Sequence, residues 1–179
     1  MAGRANKLSF LRHKSQLREI ILNANPPLRL ALYEPDIPQN TSAILRTCAC
    51  LGIAAEIIGP SGFVINDAKA KRAGMDYLGF VMLTKHDDWD TFQQAYSGKR
   101  RILLTTQSDV QFTKFQFLVG DILILGRETK GVPAKVHADV DARLVVPMEK
   151  DMRSFNIATS AAIVLGEALS QLDAFPKVN

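Results

Sequence analysis

Three short stretches of this sequence gather polar side chains and glycines where chemistry could be done. The first is Pro38-Gln39-Asn40-Thr41-Ser42-Ala43-Ile44-Leu45-Arg46-Thr47. Asn40 and Arg46 are its main polar groups on a mostly apolar helical pattern. An amide at that point can cap a helix or hold a ligand, and a guanidinium can lie on the surface or grip an anion. The second is Leu125-Gly126-Arg127-Glu128-Thr129-Lys130-Gly131-Val132-Pro133. Gly126 and Gly131 let backbone approach a ligand closely. Glu128 can accept hydrogen bonds from a ligand or orient an arginine. The same residues also make an ordinary strand-to-helix turn with a glycine at each end. The third runs from Val146 through Pro147, Met148 and Ser154 to Asn156. Ser154 or Asn156 can cap the helix that follows, and a helix N-terminus is rich in hydrogen-bond donors.

None of these stretches offers a metal site. Cys48 and Cys50 form a Cys-x-Cys pair with no second Cys/His pair at ligand spacing, so no metal is expected. The two thiols read as small core residues, or as one core and one surface thiol. Such cysteine usage fits a reducing compartment, and a cytoplasmic location is expected.

The elements that must position these stretches alternate. Strands are expected at Leu28 to Tyr33, Ala55 to Ile58, Phe80 to Leu83, Arg101 to Thr105, Gly120 to Leu125 and Arg143 to Pro147. Helices are expected from a cap at Asn40 or Thr41 to Leu51, and at Asn66 to Gly74, Asp88 to Tyr96, Pro133 to His137 and Asn156 to Leu172. This alternation argues for an α/β fold of three layers around a mostly parallel sheet. Ligands of such sheets sit beyond the C-terminal ends of strands, where all three polar stretches lie. No G-x-G-x-x-G follows the first strand and no G-x-x-x-x-G-K-[ST] occurs, which counts against a standard dinucleotide or phosphate loop.

The chain has 179 residues, enough for one domain with a proper core and too few for two comfortable ones. Hydrophobic residues make up 47%, so it can fold without staples. Its longest apolar runs, such as Ile122 to Leu125 and Ala158 to Leu165, fall far short of the ~20 residues a membrane span needs. The expectation is a soluble globular protein with no membrane partner. A net charge of +4 permits an anionic partner such as RNA without requiring one. Residues 1–27 stand apart as a basic extension, with Arg4, Lys7, Arg12, Lys14 and Arg18 against the single acid Glu19. They read as an arm touching RNA phosphates, a transit-like leader, or a tail with a short helix. Residues 28–179 form the expected domain.

Taken in order, the three polar stretches resemble the three motifs of the SPOUT methyltransferases. Within that superfamily the chain is most similar to the small tRNA wobble-ribose methyltransferases of the TrmL type, which act on cytidine or uridine 34. The likeness rests on Tyr33-Glu34-Pro35-Asp36-Ile37-Pro38-Gln39-Asn40-Thr41, on Lys71-Arg72-Ala73-Gly74-Met75-Asp76-Tyr77, on Leu104-Thr105-Thr106 and on Arg153-Ser154-Phe155-Asn156. It spans about Leu30 to Leu172. The chain departs from the pattern at Ser42, where the family often has Gly, at Arg127, where the closest group often has Pro, and at Ala158, which replaces a frequent Ser.

The resemblance implies a deep trefoil knot in the C-terminal half and a homodimer in which each cofactor pocket faces the partner. Ala158, Ala161 and Ala162 on the last helix could pack against that partner, or within one chain. It implies S-adenosylmethionine as cofactor, held along Leu104, Thr105, Gly126, Val146 and Met148, with Ser154 fixing the polar end. Asn40, Arg46, Glu128 and Asn156 are the implied catalytic set, with Arg46 at the ribose. A guanidinium does not give up its proton near neutrality, so Arg46 is expected to act electrostatically. The implied partner is the tRNA anticodon loop, its phosphates met by Lys69, Lys71, Arg72, Arg153 and the basic extension. Two alternatives stay open: a 2′-O-methyltransferase of another tRNA or rRNA site, and a catalytically silent RNA-binding or assembly factor on the same fold. The missing phosphate loops count against a third, a nucleotide-binding α/β protein with no methyl transfer.

Overall fold

Leu28-Arg29-Leu30-Ala31-Leu32-Tyr33 alternates its side chains between two faces, and both faces are covered. Leu28, Leu30 and Leu32 enter one apolar cluster, while Ala31 and Tyr33 enter a second on the opposite side. This strand, β1, is therefore central. The computed structural model describes residues 26–63 and 77–177. The basic extension up to residue 25, the helix expected at Asn66 to Gly74, and Lys69, Lys71 and Arg72 lie outside the described residues.

The chain continues through α1 (Pro38–Leu51), β2 (Ala54–Ile58), a 3-10 turn at Leu78–Phe80, β3 (Leu83–His86), α2 (Trp89–Ala95) and β4 (Arg101–Leu104). A second 3-10 turn at Phe112–Lys114 precedes β5 (Asp121–Leu125), α3 (Ala134–Asp139), β6 (Ala142–Leu144) and α4 (Ile157–Gln171). The six strands make one sheet in the order β3-β2-β1-β5-β4-β6, and every pairing is parallel. The expected three-layer α/β architecture is what forms.

On one face, α1 contributes Ile44, Leu45 and Cys48, and α4 contributes Ala161, Val164, Leu165, Ala168 and Leu169. These positions recur at three- and four-residue spacing, which gives each helix a single apolar stripe. On the other face, Trp89 and Phe92 of α2 and Val136 of α3 cover Ile122 and Ile124 of β5. Each fully buried leucine or isoleucine in these clusters contributes about 1.5–3 kcal/mol. Ala161 is buried in its own chain's core, so it does not serve a partner; Ala158 packs partly against that core and Ala162 is exposed.

Three element boundaries differ from expectation for physical reasons. The first helix begins at Pro38 rather than at a cap on Asn40 or Thr41; its N-cap is Ile37, with no side-chain bond. Proline at the first helical position has no N–H to satisfy and a preset φ, which starts the helix early. The third strand lies at Leu83–His86, not Phe80–Leu83. The apolar run before it is used differently: Leu78 and Val81 pack against the core from the turn. The sixth strand stops at Leu144, and only a single bridge from Val145 to Gln111 prolongs it towards Pro147. Cys48 is buried and Cys50 exposed, and burial pushes the Cys48 thiol up to about 12. That is the core-plus-surface arrangement. No helix among the described residues is long and apolar enough to cross a membrane.

Candidate functional site

The strand order reverses between β1 and β5, since the chain builds outward from β1 to β3 and then returns to place β5 on β1's other side. Such a switch leaves a crevice beyond the strands' C-terminal ends. A cavity of about 620 Å³ opens there, within the range of small-molecule sites. Its walls come from the segments after β1, β4, β5 and β6 and from the start of α4. Leu104, Thr105, Gly126, Val146, Met148 and Ser154 all line it. The described structure thus brings together every residue expected to hold a cofactor.

Backbone bonds fix these walls. The Thr105 N–H donates to the Leu144 carbonyl (2.9 Å), and Phe112 N–H to the Val145 carbonyl (3.1 Å), tying the segment after β4 to the end of β6. Arg127 and Gly131 exchange two backbone bonds, of 3.1 and 2.8 Å, which close the loop after β5 on itself. Gly126 has to be glycine for that closure: a Cβ there would stand 2.8 Å from the Gly131 carbonyl carbon and 3.0 Å from Val132 Cγ1. Gly131 takes a left-handed φ of +66°. The close approach expected of these glycines is therefore first an approach of the loop to itself.

Three of the four expected catalytic side chains meet at one end of the cavity. Asn156 caps α4, its Oδ1 accepting from Ala158 N–H (2.9 Å) and Thr159 N–H (3.3 Å). Its oxygen is thereby committed, so its Nδ2 must face outward, and it donates to Asn40 Oδ1 at 2.9 Å. Asn40 then presents its own Nδ2 to Glu128 Oε1 at 3.2 Å. The helix N-terminus thus dictates the orientation of both amides. Asn40 is available for this because Pro38 starts α1 without a side-chain cap.

Glu128 is tied to a further cluster that sequence reasoning passed over. Its Oε2 accepts the Asp36 backbone N–H at 3.2 Å. Arg127 reaches back across the crevice, Nε to Asp36 Oδ2 (3.3 Å) and Nη1 to Glu34 Oε2 (3.1 Å). Thr129 Oγ1 also donates to Asp36 Oδ2. Burial, and then the Asp36 carboxyl beside it, push Glu128 above the usual carboxylate range. Contact with Glu128, then with Thr129 and Arg127, holds Asp36 below that range. The partners lie more than ninety positions apart, so no local pattern announced them; Arg127 stood out only as a departure from a family pattern.

Arg46 does not join this group. It lies six residues beyond Asn40, about 9 Å along the helix axis and roughly 120° round it. Its Nη2 donates to Tyr77 Oη (3.2 Å), and its guanidinium stacks 4.6 Å from the centre of the Tyr77 ring. The side chain is exposed and outside the cavity of its own chain. Cationic Lys130 and Arg153, together with polar Thr106, Gln107 and Ser160, line the cavity and were not placed there in advance, except that Arg153 was expected at RNA. Apolar wall comes from Leu103, Leu125, Val132 and Ile157, a mixture suited to a ligand with a planar base at one end and polar groups at the other. Among the described residues, no three His, Cys, Asp or Glu side chains stand together as a metal site.

Comparison with known proteins places this geometry. The sequence profile of the SpoU rRNA Methylase family matches residues 27–166. A protein of Beijerinckia indica named tRNA (cytidine(34)-2'-O)-methyltransferase is 52% identical over 151 residues, covering 83% of this chain and 94% of that protein. The Escherichia coli K12 protein of the same name is 38% identical over 147 residues, 81% of this chain and 94% of its own length. A solved structure concerned with the 2-OH methylation of C/U34 on tRNA superposes with a TM-score of 0.78. It is 36% identical, and the match covers 84% of this chain and 99% of that one.

Proposed function

The chain belongs to the SpoU rRNA methylase family, and from that premise we propose that it is a tRNA 2′-O-methyltransferase acting on the ribose of nucleotide 34, a cytidine or uridine. The observation that carries this reading is the single cavity at the β1–β5 switch, in which nine of the residues expected from the family resemblance converge.

The cavity fits S-adenosylmethionine in size and in the chemistry of its walls. Apolar Leu103, Leu125 and Val132 suit an adenine, and Thr105, Ser154 and the backbone at Gly126 and Val146 suit the ribose and amino-acid ends. When bound, S-adenosylmethionine supplies a methyl group on a positively charged sulfur, a good leaving group that calls for no metal. The protein's part is to align the attacking 2′-oxygen and to stabilise the charge that grows on it. A carbon–oxygen bond forms as the carbon–sulfur bond breaks, and the hydroxyl proton leaves to an RNA phosphate or to water. Asn40 and Asn156 each keep one amide N–H beyond the bonds already described, available to the RNA or cofactor.

Arg46 is proposed to act in the site of a second copy. It is exposed and turned away from its own cavity, which is the placement required if two chains pair and exchange this residue. Being permanently charged, it would hold the adjoining phosphate and stabilise the developing alkoxide. Exposed Ile37 and Phe155 at the cavity's rim support a paired arrangement. A trefoil knot belongs to the same proposal. It is supported by the insertion of β5 between β1 and β4, with β6 outside β4 and the chain then returning over the cavity to α4. So does the division of the chain into a basic extension and one methyltransferase domain, working in the cytoplasm on tRNA.

The direct test incubates the purified protein with total tRNA and isotopically labelled S-adenosylmethionine, then digests the RNA for mass spectrometry. A 2′-O-methylated pyrimidine at position 34 is expected. Label on a base, or on another tRNA or rRNA position, would replace this reading, and no label at all would favour a silent RNA-binding factor.

A further inference from the structure

The carboxyl of Asp36 has one oxygen too many for its surroundings. Oδ2 receives Arg127 Nε and Thr129 Oγ1. Oδ1 is buried and has no hydrogen-bond partner. A buried carboxylate oxygen without a donor is costly, and the group standing beside it is another acid, Glu128. Two neighbouring carboxylates, both ionised, repel each other. Both difficulties vanish if Glu128 carries a proton and donates it to Asp36.

We propose that Arg127 and Asp36 are positioning residues for the methyl-transfer site: Arg127 fixes the Asp36 carboxylate, and Asp36 holds Glu128 as a protonated partner that locks the loops after β1 and β5 together. The inference rests on the reading of Glu128 as a site residue. It accounts for the direction of the whole polar chain. The α4 terminus orients Asn156, Asn156 orients Asn40, and Asn40 donates to Glu128. Glu128 closes the chain by donating to Asp36, and Arg127 anchors that end through Asp36 and Glu34. Loss of the shared proton sets two negative charges against each other across the crevice and loosens Asn40.

Charged and titratable groups gather around Glu128 and its cavity from several elements. Glu34 and Asp36 precede α1, Arg127 and Lys130 lie on its own loop, His137 is on α3 and Arg153 precedes α4. Arg127 is the cation in contact with the Asp36 carboxyl, so its removal and the removal of Asp36 should act in opposite senses.

The test is a carbon-13 NMR titration of glutamate side-chain carboxyls in the full chain, with Glu128 assigned by its loss in Glu128→Gln. Asp36→Asn should move the Glu128 titration to lower pH, because the neighbouring negative charge is gone. Arg127→Met should move it to higher pH, and Arg127→Lys should bring it back towards wild type. Affinity for S-adenosylhomocysteine, measured over the same range, should weaken with the same midpoint in each variant. If Asp36→Asn fails to fold, the two Arg127 variants decide. A Glu128 titration that Arg127→Met leaves unmoved or lowers, that a folded Asp36→Asn raises, or that affinity does not follow, overturns the proposal. Wild-type protein that binds no S-adenosylhomocysteine at any pH overturns the methyl-transfer reading instead, while opposite shifts of the titration would still support the carboxyl pair.

Discussion

Asn156 serves the fold and the site with different atoms, so two substitutions can separate the two roles. Its Oδ1 caps α4, and its Nδ2 orients Asn40. Asn156→Ala removes both. Loss of an N-cap costs about 1 kcal/mol. Loss of the hydrogen bond to Asn40 costs about 1 kcal/mol more. A total of about 2 kcal/mol in a chain of this size lowers Tm by about 4–8 °C. Asn156→Asp keeps the capping oxygen and adds a favourable negative charge at the helix N-terminus, so stability should stay within about 0.5 kcal/mol of wild type. A carboxylate cannot donate to Asn40 Oδ1, however, and leaves two acceptors facing each other at 2.9 Å. Asn40 must turn, and its bond to Glu128 is lost. Turnover should then fall about tenfold or more, the equivalent of one well-made hydrogen bond of about 1.4 kcal/mol. Urea titrations at one fixed protein concentration give the stabilities, and methyl transfer to tRNA gives the turnover. An Asp variant with wild-type turnover, or one as destabilised as the Ala variant, would refute this division of labour.

Other consequences are equally open to measurement. Arg46→Ala should abolish methyl transfer yet leave the affinity for S-adenosylhomocysteine within about twofold by calorimetry, because the side chain lies outside its own cavity. Equal loss of both would place Arg46 in cofactor binding. Gly126→Ala should weaken S-adenosylhomocysteine binding and cost about 1–3 kcal/mol, since the new Cβ collides with Gly131 backbone at 2.8 Å; unchanged binding would show that the loop can give way. The pH dependence of stability follows from the Glu128–Asp36 pair. Glu128 is raised above its ordinary 4.5, so its contribution is complete below that value and is lost as pH rises through the raised one. Asp36 is depressed below its ordinary 3.8, so its contribution is present above that value and is lost as pH falls through the depressed one. Wild-type stability measured against Glu128→Gln should therefore decline as pH climbs above about 4.5, and parallel curves would contradict the assignment.

The strands buried on both faces were legible because apolar runs such as Ile122 to Leu125 can only be central in a parallel sheet. The edge strand β3 was misplaced because Thr84 and Lys85 give it a polar look, while the more apolar residues before it pack from a turn. Backbone pairing to β2, not side-chain pattern, makes Leu83–His86 a strand. At the site, Asn40, Glu128 and Asn156 could be named because each sits where a strand gives way to a helix, and their order matched a known family. What joins them could not be read: the choice of which amide atom faces which neighbour comes from the α4 cap. Arg127 was visible only as a mismatch, since its partners Glu34 and Asp36 lie a whole sheet crossover away. The buried Glu56 is a similar case. It is satisfied by Arg29, Tyr96 and His86 from three other elements or loops, at 2.7, 2.7 and 3.0 Å, and nothing in the local sequence points to that meeting.

A crystal structure with S-adenosylhomocysteine bound measures the central claim most directly. The ligand should lie between the segments after β4, β5 and β6, against Gly126, Val146 and Met148, with Arg46 of a second copy facing its sulfur. A ligand bound elsewhere on the chain, or Arg46 turned away from every bound ligand in the assembly, would contradict it.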